Sequence, residues 1–352
     1  MKILHTADLH LRQYRDDRWR GLEKIVEAGG KENIDVLTIS GDLFDGGIDA
    51  EVLKPQIRNI FSGCAFKVVV IPGNHDVNSY REGMYFGEEV ILLGEELFEC
   101  GDVNIWGMPF ESGGREKILA RIHRLGKKLP ADKINILLFH GELLDAFFSR
   151  DQFGDEGDDR YMPVKLSYFG DLNVQYILGG HFHSRFRVWE IHRGKYFVYP
   201  GSPVSVTVKE TGRRKACIFE PGAPPREYSL DTLHFEEIVI RLDPFEEADP
   251  LRIIRESIDN LHPDARAILR IEGFINSSFS GMDEAELKSR IDEAVCWKPV
   301  ERPYFYGVRD VRVILEDDLF RSFSEKLEKS GCNEEDKERL RNVFLKAMLV
   351  KV

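Results

Sequence analysis

The sequence predicts a layered α/β fold followed by a small α+β domain and a terminal helix pair. Three observations predict it. From Lys2 to His140, strand-like apolar runs alternate with helix-like stretches, and short strands follow. Five turns rich in Asp, Asn and His each close such a run, at the strand edge where open α/β sheets bind ligands. Pro221-Gly222-Ala223-Pro224-Pro225 then marks a boundary, and a β-α-β-α-β order follows it.

Lys2 to Thr6 is a short apolar strand opening onto Asp8-Leu9-His10. Arg12 to Arg20 carries four arginines and Trp19 and starts a helix running to Gly29-Gly30. Ile34 to Ile39 is the second strand, ending in Gly41-Asp42-Leu43-Phe44-Asp45. A helix from Ala50 to Phe61 leads to a third strand, Lys67 to Pro72, and to Gly73-Asn74-His75-Asp76. Val103 to Gly107 is a strand, Glu116 to Lys128 a basic amphipathic helix, and Ile134 to Phe139 a strand ending in His140-Gly141-Glu142. The acidic run from Arg150 to Arg160 reads as an exposed loop. Val174 to Leu178 is the strand before Gly180-His181-Phe182-His183. Short strands follow at Phe186–Glu190, Tyr196–Tyr199, Ser205–Val208 and Ala216–Phe219, separated by turns at Arg193-Gly194, Pro200-Gly201 and Thr211-Gly212.

Beyond the boundary, strands at Phe235–Leu242, Ala267–Phe274 and Val308–Leu315 enclose helices at Asp249–Leu261 and Asp283–Val295, a compact module of ferredoxin-like type. Leu319–Ser330 and Glu334–Met348 read as two helices, with Gly331 at a C-cap and Asn333 at an N-cap. Leu340, Val343, Phe344, Ala347 and Met348 share one apolar stripe. The expected domains are residues 1–225, 226–317 and 318–352.

At 352 residues the chain is long enough for two domains. Its net charge of −12 argues against holding nucleic acid by bulk positive charge, while leaving room for local basic patches. Cys64, Cys100, Cys217, Cys296 and Cys332 are scattered without a CxxC, which suits reduced intracellular thiols. No signal-peptide pattern opens the chain and no apolar run approaches the ~18 residues of a membrane span, so a soluble cytoplasmic protein without membrane contact is expected.

The chemistry concentrates in Asp8, His10, Asp42, Asn74, His140, His181 and His183. Two divalent cations about 3.5–4 Å apart need several such donors and a bridging carboxylate. Mixed oxygen and imidazole donors suit Mn²⁺, Fe²⁺ or Zn²⁺ better than Mg²⁺ or Ca²⁺. Asp8/His10 and His181/His183 are i, i+2 pairs whose side chains point the same way if the backbone is extended. Each piece alone also reads as turn chemistry or a hydrogen-bonded strand end. Five pieces in order, each after a strand, point to one centre.

The ordered set Asp8-x-His10, Gly41-Asp42-x-x-Asp45, Gly73-Asn74-His75-Asp76, His140 and Gly180-His181-x-His183 resembles the calcineurin-like metallophosphoesterases over about residues 1–220. The resemblance implies an α/β-β/α sandwich. It implies one cation held by Asp8, His10, Asp42 and His183, and another held by Asp42, Asn74, His140 and His181, with Asp42 as the bridge. His75 would face the scissile phosphate as proton donor or charge stabiliser, oriented by Asp76. This suits phosphodiester chemistry: two cations neutralise the anionic oxygens and activate a water, and a histidine supplies the leaving alkoxide with a proton.

The arrangement of the C-terminal third is similar to the SbcD family, nuclease subunits of SbcCD double-strand-break repair complexes. That resemblance implies a metal-dependent DNA exo/endonuclease, two Mn²⁺ ions, and a second domain capping the active site. It also implies terminal helices that dock an SbcC-like coiled-coil ABC-type ATPase through Leu340, Val343, Phe344 and Met348. DNA is the expected substrate, and a homodimer is compatible with the reading. Asp45 departs from the pattern, standing where some repair nucleases carry a histidine, and the Gly usual soon after DxH is replaced by Leu11-Arg12. Arg12, Arg15, Arg18 and Arg185 adjoin ligand loops and are the first candidates for phosphate contacts. Arg20, the basic helix Arg121-Arg124-Lys127-Lys128, Arg187 and the cluster Arg213-Arg214-Lys215 are further cations. The competing readings are a small-molecule phosphodiesterase or phosphatase, and a scaffold whose metals only organise a docking surface.

Overall fold

The apolar runs of the first half become strands buried on both faces, and those faces sort the residues into layers. The computed structural model describes residues 1–81, 83–146, 161–245 and 249–349, and divides the chain into two units, Met1–Phe235 and Glu236–Val352. The acidic stretch 150–160 lies outside the described residues.

In the first unit, β1 (Ile3–Thr6), β2 (Val36–Ser40), β3 (Lys67–Ile71) and β4 (Val90–Leu92) run parallel. Antiparallel β11 (Lys215–Phe219) and β12 (Arg226–Ser229) extend the sheet beyond β1. A second six-stranded sheet has β6 (Val103–Met108), β7 (Ile134–His140), β8 (Tyr176–Gly180) and β10 (Lys195–Tyr199) parallel at its centre. Its antiparallel edges are β5 (Leu97–Cys100) and β9 (Arg187–His192).

Strand periodicity decides the layering. In β3, Val68 and Val70 pack with Leu22 and Ile25 of α1 (Asp17–Glu32) and with Ile57 and Phe61 of α2 (Ala50–Phe61). The intervening Val69 and Ile71 face the second sheet and share a core with Ile136 and Leu138. Leu137 and Phe139 of that sheet turn outward onto Ile118 and Ile122 of α3 (Arg115–Gly126). The order is therefore helix, sheet, sheet, helix, the α/β-β/α sandwich. Polar groups cross between the sheets: His5, bonded to Thr38 Oγ1 of its own sheet at 3.1 Å, reaches the Gly179 carbonyl of the other at 3.3 Å, and the Ser40 hydroxyl donates to the Leu178 carbonyl at 2.8 Å.

Several elements differ from expectation. The first helix starts only at Asp17, because the Asp16 carboxylate caps it by accepting from Trp19 N at 2.8 Å. β4 and β5 are short and only half-buried, so they carry weak periodicity. Ser205–Val208 is not a strand. Its polar groups turn onto Glu210, with the Ser205 hydroxyl donating to the Glu210 carbonyl and Val206 N to the Glu210 carboxylate.

The second unit carries a three-stranded sheet in chain order: β13 (His234–Leu242), which begins at the boundary, then β14 (Ala265–Ile275) and β15 (Phe305–Asp310). β14 and β15 are parallel, and α4 (Pro250–Asp259) and α6 (Glu284–Val295) contribute Ile254, Ile258, Leu287 and Ile291 to the shared core. A one-turn α5 (Ser277–Ser280) follows β14. The last strand lies earlier than the expected Val308–Leu315. Asp310 ends it by accepting from Arg312 N, and Arg312–Glu316 is helical as α7. The terminal helices α8 (Asp318–Glu328) and α9 (Glu334–Leu349) bury Phe320 and Leu345 in a cluster with Phe274, and Phe323 stacks on Phe344. Phe344 and Met348 of the apolar stripe pack into this cluster, leaving Leu340 and Val343 exposed.

Candidate metal centre

The turns after β1, β2, β3 and β8, with the last residue of β7, deliver the seven candidate donors to one place. The expectation that Asp8 and His10 pair through extended backbone does not hold. Asp8, His10 and Asp42 adopt left-handed φ values of 57°, 49° and 52°, and His181 has φ 100°. Such conformations cost of order 1–3 kcal/mol each and persist where surrounding structure fixes them. Here Asp8 N donates to the Gly41 carbonyl, His10 N to Asp42 and Leu11 N to Leu43, tying the two loops together past the strand ends. A Cβ at Gly180 would run into the Ser40 carbonyl and lie 2.9 Å from both the Ala7 side chain and His140 Nδ1. That glycine answers to close approach, not to turn geometry.

Asp8, His10, Asp42 and His183 are buried, and one ligand atom of each lies within 4.8 Å of the others. The imidazole orientations are informative. His10 Nδ1 faces Asp45 Oδ1 at 3.2 Å and His183 Nδ1 faces Glu210 Oε1 at 3.5 Å. With protons on those nitrogens, the two Nε2 lone pairs meet head-on at 3.2 Å, an arrangement that a shared cation resolves. On the other side of Asp42, His140 Nε2 lies 3.3 Å from Asp42 Oδ2 and 2.7 Å from Asn74 Oδ1, and His181 Nδ1 is 3.3 Å from Asn74 Oδ1. Asp42 Oδ2 is buried and receives no well-aligned hydrogen bond among the described residues, while Oδ1 accepts from His75 N at 2.9 Å. A buried carboxylate oxygen in that state fits a metal ligand, and Asp42 would help to hold the cations that satisfy it.

The electrostatics agree. Burial disfavours ionising Asp42, yet His140, His10 and His75 overcome it and hold the group well below the usual carboxylate range. Burial pushes Asp8 the other way, upward, despite His183 and His140. Burial also disfavours charge on His140, but Asp42 and Asp8 outweigh it and raise the imidazole to about 10. Two buried carboxylates thus draw in positive charge that divalent cations would supply without a proton.

His75 stands at the rim with its side chain half-buried. It is Asp45, not Asp76, that faces it: His75 Nδ1 lies 3.5 Å from Asp45 Oδ1. Asp76 is buried and accepts from Gly73 N at 2.7 Å, Phe44 N at 3.2 Å and the Tyr80 hydroxyl at 2.8 Å. It fastens two loops, and burial with the nearby Asp42 pushes it up to about 7. Asp45, rather than the expected Asp76, is therefore the carboxylate placed to orient His75. Burial opposes charge on Asp45, but bonds from His10, His75 and Arg12 hold it far below the ordinary range.

The arginines divide. Arg12 and Arg18 both reach Asp45, and Arg18 also donates to the His10 carbonyl at 2.7 Å with its side chain only 11% exposed. Arg15, stacked over Tyr14, and Arg185 are exposed. Arg121 of the basic helix is buried against Glu95 at 2.6 Å.

Glu210 escaped the sequence reading. It is buried, 3.5 Å from His183 Nδ1, and accepts from the Ser202 hydroxyl at 2.9 Å. Burial works against its charge, but His183 and Arg214 bring it down to about 2. No motif spacing marks it, because it acts through another side chain.

Bound cations would neutralise the anionic oxygens of a phosphoester and acidify a water. Around such cations, Asp45 and Glu210 would orient the donor histidines they face, and His75 at the rim would be placed to pass a proton to a leaving oxygen.

A family model described as calcineurin-like phosphoesterase matches residues 1–185. An uncharacterised metallophosphoesterase of Bacillus subtilis (strain 168), YhaO, is 24% identical over 240 residues, covering 60% of this chain and 55% of that relative. The chain thus spans about half the length of that curated relative. Among solved structures, TT1561 of Thermus thermophilus superposes with TM-score 0.43 at 15% identity, covering 65% of this chain and 98% of that one. A dimetal phosphatase from Danio rerio superposes with TM-score 0.43 at 10% identity, covering 62% and 91%. With the family match running through more than half of its length and through every donor loop, the chain belongs to the calcineurin-like phosphoesterase family.

Proposed function

We propose that this phosphoesterase is a metal-dependent DNA exo/endonuclease subunit of SbcD type, using two Mn²⁺ ions to hydrolyse phosphodiester bonds at DNA ends. The observation that carries phosphodiester hydrolysis is the buried convergence of Asp8, His10, Asp42 and His183, with Asn74, His140 and His181 on the far side of Asp42 and His75 at the rim. Support for DNA comes from the exposed Arg15 and Arg185 beside the donor loops and from the sequence resemblance of the C-terminal third. The exposed Leu340 and Val343 on α9 suit a docking face for a coiled-coil ABC-type ATPase. Incubation of the chain with Mn²⁺, labelled linear DNA and, separately, bis-p-nitrophenyl phosphate tests the reading. Cleavage of DNA is the expected result. Turnover of the small ester with intact DNA would reassign the enzyme to small phosphodiesters, and inertness toward both would leave a scaffold.

A further inference from the structure

Cations from two separated stretches, 185–187 and 209–215, meet in one cleft of the first unit, a cavity of about 700 Å³ lined by Arg185, Arg187, Lys209, Arg213, Arg214 and Lys215 among its residues. None of its lining residues is an Asp or Glu, in a chain whose net charge is −12. Arg213 and Lys215 are paired with Asp231 and Glu227. Arg185, Arg187 and Lys209 are exposed and have no carboxylate partner among the described residues. Arg214 is different: it is buried and donates to the carbonyls of Ser202 and Ser184, each at 3.0 Å, and to that of His183. It fixes the cleft wall to the loop that carries a candidate metal ligand, so the cleft adjoins the metal centre.

We infer that this cleft seats the phosphodiester backbone of a polynucleotide beyond the bond being hydrolysed. The inference rests on the nuclease reading above and assigns a second contact surface to it. Exposed, flexible cations suit repeated, sequence-independent phosphate contacts, whereas a compact anion is gripped by preorganised buried donors. Arg214, the buried cation among the described lining residues, already serves the backbone carbonyls of Ser202, Ser184, Glu210 and His183.

The test is the double variant Arg187→Glu/Lys209→Glu in the full chain. Both positions are exposed, so folding should survive, and circular dichroism checks it. Fluorescence anisotropy with labelled linear DNA, in EDTA and across a salt series, reads polymer binding. Hydrolysis of bis-p-nitrophenyl phosphate with Mn²⁺ reads the centre alone. The expected result is at least about tenfold weaker DNA binding, a log K against log salt slope shallower by about one per cation removed, and unchanged small-ester turnover. Wild-type DNA binding equalled by the folded variant would overturn the cleft and leave the nuclease reading intact. A wild-type chain that hydrolyses the small ester yet neither binds nor cleaves DNA would remove both.

Discussion

At the scale of single residues, Asp45 is the pivot. One carboxylate takes contacts from His10, His75, Arg12 and Arg18, so it positions a candidate ligand and the candidate proton donor together. Asp45→Asn is expected to lower turnover about 10–100-fold, the usual cost of losing an outer partner of a ligating histidine. Asp76→Ala should act differently. It leaves Gly73 N, Phe44 N and the Tyr80 hydroxyl without their acceptor and should show chiefly as a lower melting temperature, from about 1–3 kcal/mol per buried group. Equal effects of the two substitutions on turnover at matched stability would undo this division of roles. His75→Ala should keep its metal content and lose most turnover, and full activity would remove His75 from the chemistry. His5 sets an acid limit. Burial lowers it from 6.5 to about 3 in the fold, so between those values the unfolded chain binds the extra proton. The stabilisation is complete above 6.5 and is lost as the pH falls toward 3. His5→Gln should therefore flatten the fall in melting temperature between pH 7 and pH 5, and parallel curves for the two proteins would contradict the assignment.

At the scale of elements, the site exists because two parallel sheets put their loaded turns side by side. Gly180→Ala should disrupt it from within. The added methyl has the Ser40 carbonyl, Ala7 and His140 against it, an overpacking cost of about 1–3 kcal/mol or more with displacement of His140. Thermal melts together with Mn²⁺ affinity check it, and a variant with wild-type values in both would show that the approach is slack. The strands and donor loops were legible because doubly buried strands make unbroken apolar runs, and because metal-binding side chains after them stand out against turn chemistry. What stayed hidden has physical reasons. β5 is short and half-buried, so neither run nor alternation marks it. The left-handed backbone at Asp8 and His10 depends on hydrogen bonds to a distant loop, which no local pattern encodes. Asp45 and Glu210 act through histidines that are far away in sequence, at 35 positions from His10 and 27 from His183 by residue number. Val308–Leu315 misled because its apolar residues serve two elements, with Val308 in the sheet core and Ile314 in the helical cluster.

At the scale of the molecule, the units divide the work proposed here: chemistry in Met1–Phe235, partner docking in the C-terminal helices. Removing α9 outright would strip Leu345 and Phe344 from their cluster, so point substitutions are the cleaner probe. Leu340→Glu/Val343→Glu should abolish co-purification with a coiled-coil ATPase while small-ester turnover stays at the wild-type level, and retained co-purification would move the docking face elsewhere. The central claim is that seven donors form one dinuclear centre bridged by Asp42. The most direct measurement is the metal content of the Mn²⁺-loaded chain by inductively coupled plasma mass spectrometry, beside the Asp42→Ala variant. Two Mn²⁺ per wild-type chain, falling to one or none without the Asp42 carboxylate, is the expected result. A wild-type chain that binds fewer than two, or a variant that still binds both, would contradict it.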